Sequence, residues 1–322
     1  AVAGLNNYNN TNGAGIDYSV IPDPDTTELD QGFLQYEAGG IKAKLGRQVL
    51  TFDNHRFVGH VGWRQDRQTF DGVSVDYALG GLKASYSFLE QRNRIFGEEK
   101  DIDSYDHLVN LAYKAPIGTL VAYAYLLQED SDLALAYDTY GLRFTGSKAS
   151  EASTYLFSVE YAAQEKTSSA GINLDSSYVS LEGGMVVRGV TAKVGYEALG
   201  SDNGRYGFST PLATLHKFNG WADQFLATPD QGLIDIYASV SGELGRGTLA
   251  FVYHDFSADN DTESTSDLGG EIDISYVVKF RKRFTAGVKY AFYTAGDVAT
   301  LAANPKVYVD TQKLWVWVGA KF

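Results

Sequence analysis

Six of the chain's twelve arginines, Arg47, Arg56, Arg64, Arg67, Arg92 and Arg94, fall within 48 residues. A guanidinium is a permanently charged, rigid fork of donors suited to carboxylates and phosphates. Pointing into a passage, such side chains would draw acidic solutes. Paired with Asp53, Asp66 and Asp71 close by, they would instead brace a folded loop. Residue types alone admit both. A second cluster lies at 201–231, a connection too long for a plain link, which carries His216, Lys217, Trp221, Asp223, Gln224 and Phe225. In a constriction Trp221 and Phe225 would offer flat faces to a passing solute; otherwise they pin the segment to a wall.

Bond-making chemistry has less support. Asp106-His107 and His254-Asp255 are sequence neighbours, but adjacent residues of a strand point to opposite faces, so neither is a base with its orienting acid. No Gly-x-Ser-x-Gly elbow and no His-Glu-x-x-His zinc signature occur. Asp101, Asp103 and Asp106, and likewise Asp259, Asp261 and Glu263, are oxygen-rich groups that match no complete calcium loop. Solvated loops account for them. With no cysteine there is neither thiol chemistry nor a disulfide framework. The expectation is a protein that is not an enzyme and uses no metal and no cofactor.

The elements that position these clusters are written as alternation. From Lys313 to Phe322, Leu314, Val316, Val318, Ala320 and Phe322 share one face, and Lys313, Trp315, Trp317, Gly319 and Lys321 the other. Such a period-two pattern marks a strand between oil and water, and about 9–11 residues suffice to cross a bilayer at a tilt. Strand pairs precede it: 31–37 with 41–49, 68–79 with 82–91, 106–114 with 118–128, 137–145 with 153–164, 175–187 with 190–200, 232–243 with 247–257, and 268–280 with 284–294. Short connections such as Gly39-Gly40, Gly80-Gly81 and Arg188-Gly189 alternate with long ones. Tight hairpins at one end and long loops at the other are the layout of a transmembrane barrel. The expected fold is all-β: one antiparallel up-and-down transmembrane β-barrel over 1–322. Fifteen strands are legible, a sixteenth is implied before the first loop, and the barrel would have eighteen when complete, its N-terminal strands being absent from this chain.

Composition agrees. There is no apolar run of about 18 residues, so no spanning helix, yet barrel strands are apolar only at every second position. The 22 Tyr and 17 Phe suit two interfacial girdles. A net charge of -13 without a basic stripe excludes nucleic acid as a partner. Lumen-facing positions mix Lys42, Lys44, Lys83, Lys193 and Lys289 with Asp76, Glu160, Glu197, Asp235, Glu271 and Asp273. That mixture suits a general small-solute porin at least as well as a strongly cationic path. The alternation of 41–49 puts Arg47 with Ile41, Ala43 and Leu45 on the lipid side unless a bulge resets it.

Two stretches carry a family resemblance: Gly46-Arg47-Gln48-Val49-Leu50 with Asp53, His55–Gly59, Trp63-Arg64-Gln65 and Phe70-Asp71-Gly72; and Leu215–Phe225 with Thr228-Pro229 and Gly232-Leu233. With the strand pattern they resemble the alginate-export family of outer-membrane porins over nearly the whole chain. The resemblance implies an 18-stranded, monomeric barrel in the bacterial outer membrane and passive passage of an anionic sugar polymer or related solute. It implies pore or solute contacts for Arg47, Arg56, Arg64, Arg67, Asp53, His216, Lys217, Trp221, Asp223 and Gln224. Outer-membrane lipids and lipopolysaccharide, whose phosphates suit outward arginines, are the implied surroundings. A terminal Phe322 resembles the closing strand of such barrels, an assembly signal for the barrel-assembly machinery. The alternatives are a general small-solute porin without sugar selectivity and, more remotely, an outer-membrane barrel enzyme.

Overall fold

Fifteen consecutive strands hydrogen-bond in sequence order into one antiparallel sheet. In the computed structural model they are β1 (Gly32–Ala38), β2 (Ile41–Gln48), β3 (Thr69–Leu79), β4 (Leu82–Asn93), β5 (Ile102–Ala115), β6 (Gly118–Gln128), β7 (Ala136–Ala149), β8 (Ser153–Thr167), β9 (Asn173–Val187), β10 (Val190–Leu199), β11 (Leu233–Leu244), β12 (Gly247–Ser257), β13 (Asp267–Phe280), β14 (Phe284–Thr294) and β15 (Thr311–Ala320). The structure describes residues 9, 10, 13, 15, 16, 20, 21, 24, 26–64, 66–130, 135–167, 171–261, 266–296 and 309–321. Gln65, Glu263 and Phe322, named above, lie outside these. The up-and-down order is the expected one. The largest departures are β7, which runs to Ala149 rather than 145, and β5, which begins at Ile102 rather than 106 because Ser104 and Asp106 continue the inward alternation and Asp106 meets Arg92 across the strand pair.

The distribution of polarity is inverted relative to a water-soluble protein. Outward-facing Tyr140, Leu142, Val159, Tyr161, Val194, Ile236, Val316 and Val318 are all exposed, Val316 to 74%. Inward-facing Ser87, Glu160, Asp235, Glu271 and Asp273 are buried. An apolar belt of this extent is stable only in hydrocarbon. Tight turns close the hairpins at one end: Gly39-Gly40 and Arg188-Gly189 have both central residues at positive φ, the mirror-image turn that matches strand twist.

Glycines on the inner face do a second job. Gly141 lies opposite Tyr123, and Gly195 opposite Tyr237, in the strand registers. A Cβ on Gly141 would come within 2.3 Å of the Tyr123 ring, and one on Gly195 within 2.1 Å of Tyr237. Each ring therefore lies against the bare backbone of its neighbour. Gly195→Ala should lift Tyr237 off the wall and lower thermal stability by about 1–3 kcal/mol. Gly183→Ala, where nothing lies within 4 Å of the added carbon, is the control and should unfold with the parent.

Candidate functional site

The two polar segments singled out by sequence meet inside the barrel. Loop 49–68 and loop 200–232 join at a parallel bridge between Val58 and Leu212. The Gly59 N–H donates to Leu212 O at 2.8 Å, the Thr214 N–H to His55 O at 3.0 Å, and the Gln68 amide to Gly59 O and Leu212 O. Arg94 donates to Pro211 O and to Gln68. Phe57 fills the joint, its ring 5.2 Å from both Tyr123 and Tyr178. Asp53, His55 and Val61 in the first loop take positive φ, a costly conformation for a β-branched valine. Val61 is held there by donating its N–H to Thr214 Oγ1.

Three anchors fix the joined loops to the wall. At the first, Arg56 grips Glu197 of β10 with two nitrogens at 2.9 and 3.2 Å. Tyr178 and Asn219 donate to the same carboxylate, and Asn219 also to Asp235, which His254 contacts at 2.9 Å. At the second, Asp223 receives His216 Nδ1 at 2.6 Å and lies 3.4 Å from Arg64 and 3.7 Å from Lys313 of β15. At the third, the N–H groups of Trp221 and Ala222 donate to Asp273 and Glu271 of β13, and Gln224 donates to Thr311.

The His216 imidazole is the centre of the second anchor. It stacks on Trp63 at 3.8 Å, and its Nε2 faces the Lys289 ammonium at 2.9 Å. An ammonium can only donate, so Nε2 accepts and Nδ1 carries the proton given to Asp223. Burial, aided by Lys289 and Arg64 and opposed by Asp223, pushes the His216 imidazole down to about 4. Burial raises the Asp223 carboxyl, but His216, Lys313 and Arg64 together outweigh it and hold it below the ordinary range. The folded protein thus keeps the imidazole neutral, while the unfolded chain protonates it below its ordinary 6.5. Docking of the loop should therefore weaken as pH falls from about 6.5 towards 4 and be unaffected by this group above 6.5. The gap corresponds to about 3 kcal/mol. Current noise should rise across that window in the parent protein and stay flat there in His216→Gln.

The candidate residues divide by exposure. Arg56 and Arg64 are buried, their side chains only 2% accessible, and Arg92 is buried between Asp106 and Glu129. Arg67 forms a more exposed pair with Asp30. No register shift interrupts β1–β2 or β2–β3, so no bulge resets Arg47; it sits opposite Asp71 and pairs with it at 2.8 Å. Phe225 is buried against Phe256 and Tyr293, and Trp221 has Lys289 4.5 Å from its ring centre. These aromatics hold the loop to the wall.

Lys217 differs: it reaches open lumen, donating to Asn54 O. Partial loss of water around it lowers its ammonium, and the nearby charges of Arg143 and Lys193 push the same way. Asp53 accepts from Asn110 and faces Arg143 and Lys83. Sequence reasoning placed Glu197, Asp235, Glu271, Asp273 and Lys313 on the inner face but did not identify them as loop anchors. The available signal was a carboxylate recurring on the inner face of strands flanking the longest loop.

The proposed catalytic neighbours separate as alternation requires. Asp106 is inward on Arg92, while His107 is outward among Tyr86, Phe88 and Tyr105. His254 is inward between Asp235 and Asp273, so carboxylates, not a hydroxyl, face its two nitrogens. Asp101 accepts from the Arg94 N–H and Asp103 from Gln91, so the Asp101, Asp103, Asp106 group diverges.

A family model described as "Alginate export" matches residues 8–213. None of the curated proteins matches. Among solved structures, Pseudomonas aeruginosa OccK11 (OpdR) is 16% identical with a TM-score of 0.64, covering 90% of this chain and 80% of that one. Acinetobacter baumannii OccAB4 is 13% identical with a TM-score of 0.66, covering 89% and 73%. The outer membrane protein opdK of P. aeruginosa is 12% identical with a TM-score of 0.67, covering 89% and 77%. At these identities the likeness establishes the fold, an outer-membrane β-barrel.

Proposed function

The chain belongs to the alginate-export family, porin-like channels of the Gram-negative outer membrane, and on that premise we propose that its lumen passes polar, anionic sugar-type solutes such as uronates or an alginate-like polymer. The observation that carries this reading is how the inward charges are spent. Glu160, Glu197, Asp235, Glu271 and Asp273 are each no more than 5% exposed. They are consumed by Arg143, Arg56, His254 and the loop's own N–H groups. Of the cations, Lys42, Lys44, Lys83, Lys193 and Lys217 are left nearer the water. Lys83 and Lys193 have carboxylate partners in Asp76 and Glu182, but Lys42, Lys44 and Lys217 form no ion pair among the described residues. Lys42, Lys44 and Lys83, with Asp76 as the one acid, line a cavity of about 170 Å³ against residues 49–52.

The mixed lumen of the sequence thus becomes an asymmetric one. Acids hold the constriction in place, and amines face the path, where low-dielectric walls focus their field. Lys217 of the second loop and Asp53, which faces Arg143, are the proposed solute contacts, while Arg56, Arg64, His216, Asp223 and Gln224 keep the constriction in position. No bond is made or broken.

Single-channel recording in a planar bilayer tests this. The parent should carry an anion-preferring current that an oligouronate blocks. Each charge contributes about 0.5 kcal/mol across several ångströms of water, so Lys42→Gln/Lys44→Gln/Lys217→Gln should weaken block by about tenfold and reduce anion preference. Steady current without block in the parent would mean a general small-solute porin.

A further inference from the structure

Two aromatic side chains on the inner wall remain unused by the loops. Trp317 lies opposite Gly287 in the β14–β15 register, and a Cβ on Gly287 would fall 2.1–2.5 Å from three atoms of its six-membered ring. Tyr237 lies against Gly195 in the same way, its hydroxyl fixed on Glu182 at 2.8 Å. In both, one ring face is spent on bare glycine backbone. Val316 and Val318, the chain neighbours of Trp317, are exposed on the opposite, lipid side, so the indole belongs to the lumen wall. It is half-buried. Trp63, Trp221 and Trp315, by contrast, crowd around Lys289.

From this geometry we propose that Trp317, with Tyr237 further round the wall, forms a stacking surface for the pyranose rings of a passing saccharide; the inference rests on the sugar-channel reading above. The chemistry fits the site. A sugar presents an axial C–H face to an aromatic ring and hydroxyls at its edge. Here the ring is held parallel to the wall and polar groups stand beside it: Lys193, Glu182 and the Tyr237 hydroxyl next to Tyr237, and Thr285 on the strand beside Trp317. Glycine at 195 and 287 is what permits the flat orientation, since any side chain would tip the ring into the path. Stacking acts on the ring face and is indifferent to the solute's carboxylate, whereas the lysines act on the carboxylate alone.

The two contributions therefore separate by probe. Blocking dwell times would be recorded for an oligouronate and for a neutral malto-oligosaccharide of equal length. Trp317→Ala should shorten both by about fivefold, the size of one aromatic contact, with Trp317→Phe between it and the parent. Gly287→Ala, which keeps the indole but tilts it, should shorten them too. The lysine triple variant should shorten only the uronate's. Unchanged dwell times for both sugars in Trp317→Ala and Trp317→Phe would overturn the stacking surface and leave the anion path intact. Absence of block by either sugar in the parent would overturn the sugar reading itself.

Discussion

Replacing Arg56 with alanine is expected to convert a steady channel into a wider, flickering one. Arg56 is fully enclosed, and its guanidinium answers Glu197 while lying 4.8 Å from the Phe218 ring centre and 3.1 Å from Asn219. Removing it leaves Glu197 buried with only Tyr178 and Asn219 as donors. Stripping one partner from a buried ion pair costs about 3–5 kcal/mol. That cost falls on the docked state of the two loops and not on the strand ladder, whose hydrogen bonds do not pass through Arg56. The sheet should therefore assemble, with conductance and open-channel noise both raised. Arg56→Met/Glu197→Leu, which removes both charges and keeps volume, should recover much of the steadiness. An Arg56→Ala channel with the parent's conductance and noise would refute the latch.

Asp223→Ala should be of comparable size and visible by a different signal. Asp223 is the anion facing His216, Arg64 and Lys313, all nearly inaccessible. Without it, Arg64, Lys313 and the adjacent Lys289 share one enclosed space, where Glu271 and Asp273 of β13 are the described carboxylates that still act on the two lysines. The expected cost is again about 3–5 kcal/mol, relieved by letting 216–225 leave the wall. Trp63, Trp221 and Trp315, three of the chain's four tryptophans, surround this anchor. Their release to water should shift fluorescence to the red and open them to iodide quenching. Asp223→Asn, which can still accept from His216 but carries no charge, should fall between. Emission and quenching equal to the parent's would show that the loop is held by its other contacts alone.

The strands, their order and their two faces were legible because each is a local, repeating property. Val190, Ala192, Val194 and Tyr196 point outward whatever the neighbouring strand does, and a two-residue turn fixes its own hairpin. The inward positions of Lys42, Lys83, Glu197 and Asp273 follow from the same arithmetic. So did the two motifs that carry the family, since both lie on continuous stretches of chain. Strand ends were less legible, as at β5, because alternation persists beyond the apolar belt where polar residues face both ways.

What alternation does not encode is which inward charge meets which. Arg56 lies 141 residues from Glu197, and Asp223 lies 90 residues from Lys313. Those pairs exist only because the sheet wraps β10, β13 and β15 around two loops folded against its inner face. From sequence, Arg56 and Arg64 were assigned to the pore, with a brace as the alternative. In the folded chain their guanidiniums are enclosed with carboxylates of this same protein. On the proposed reading, the free charge of the path falls instead to Lys42, Lys44 and Lys217, three residues with no signature of their own. Sequence determined the wall and the faces it presents, because period-two geometry needs no partner. The tertiary structure alone decided which charges are spent on holding the loops and which stay accessible, because that depends on enclosure, and enclosure is set by the loops packed against the wall.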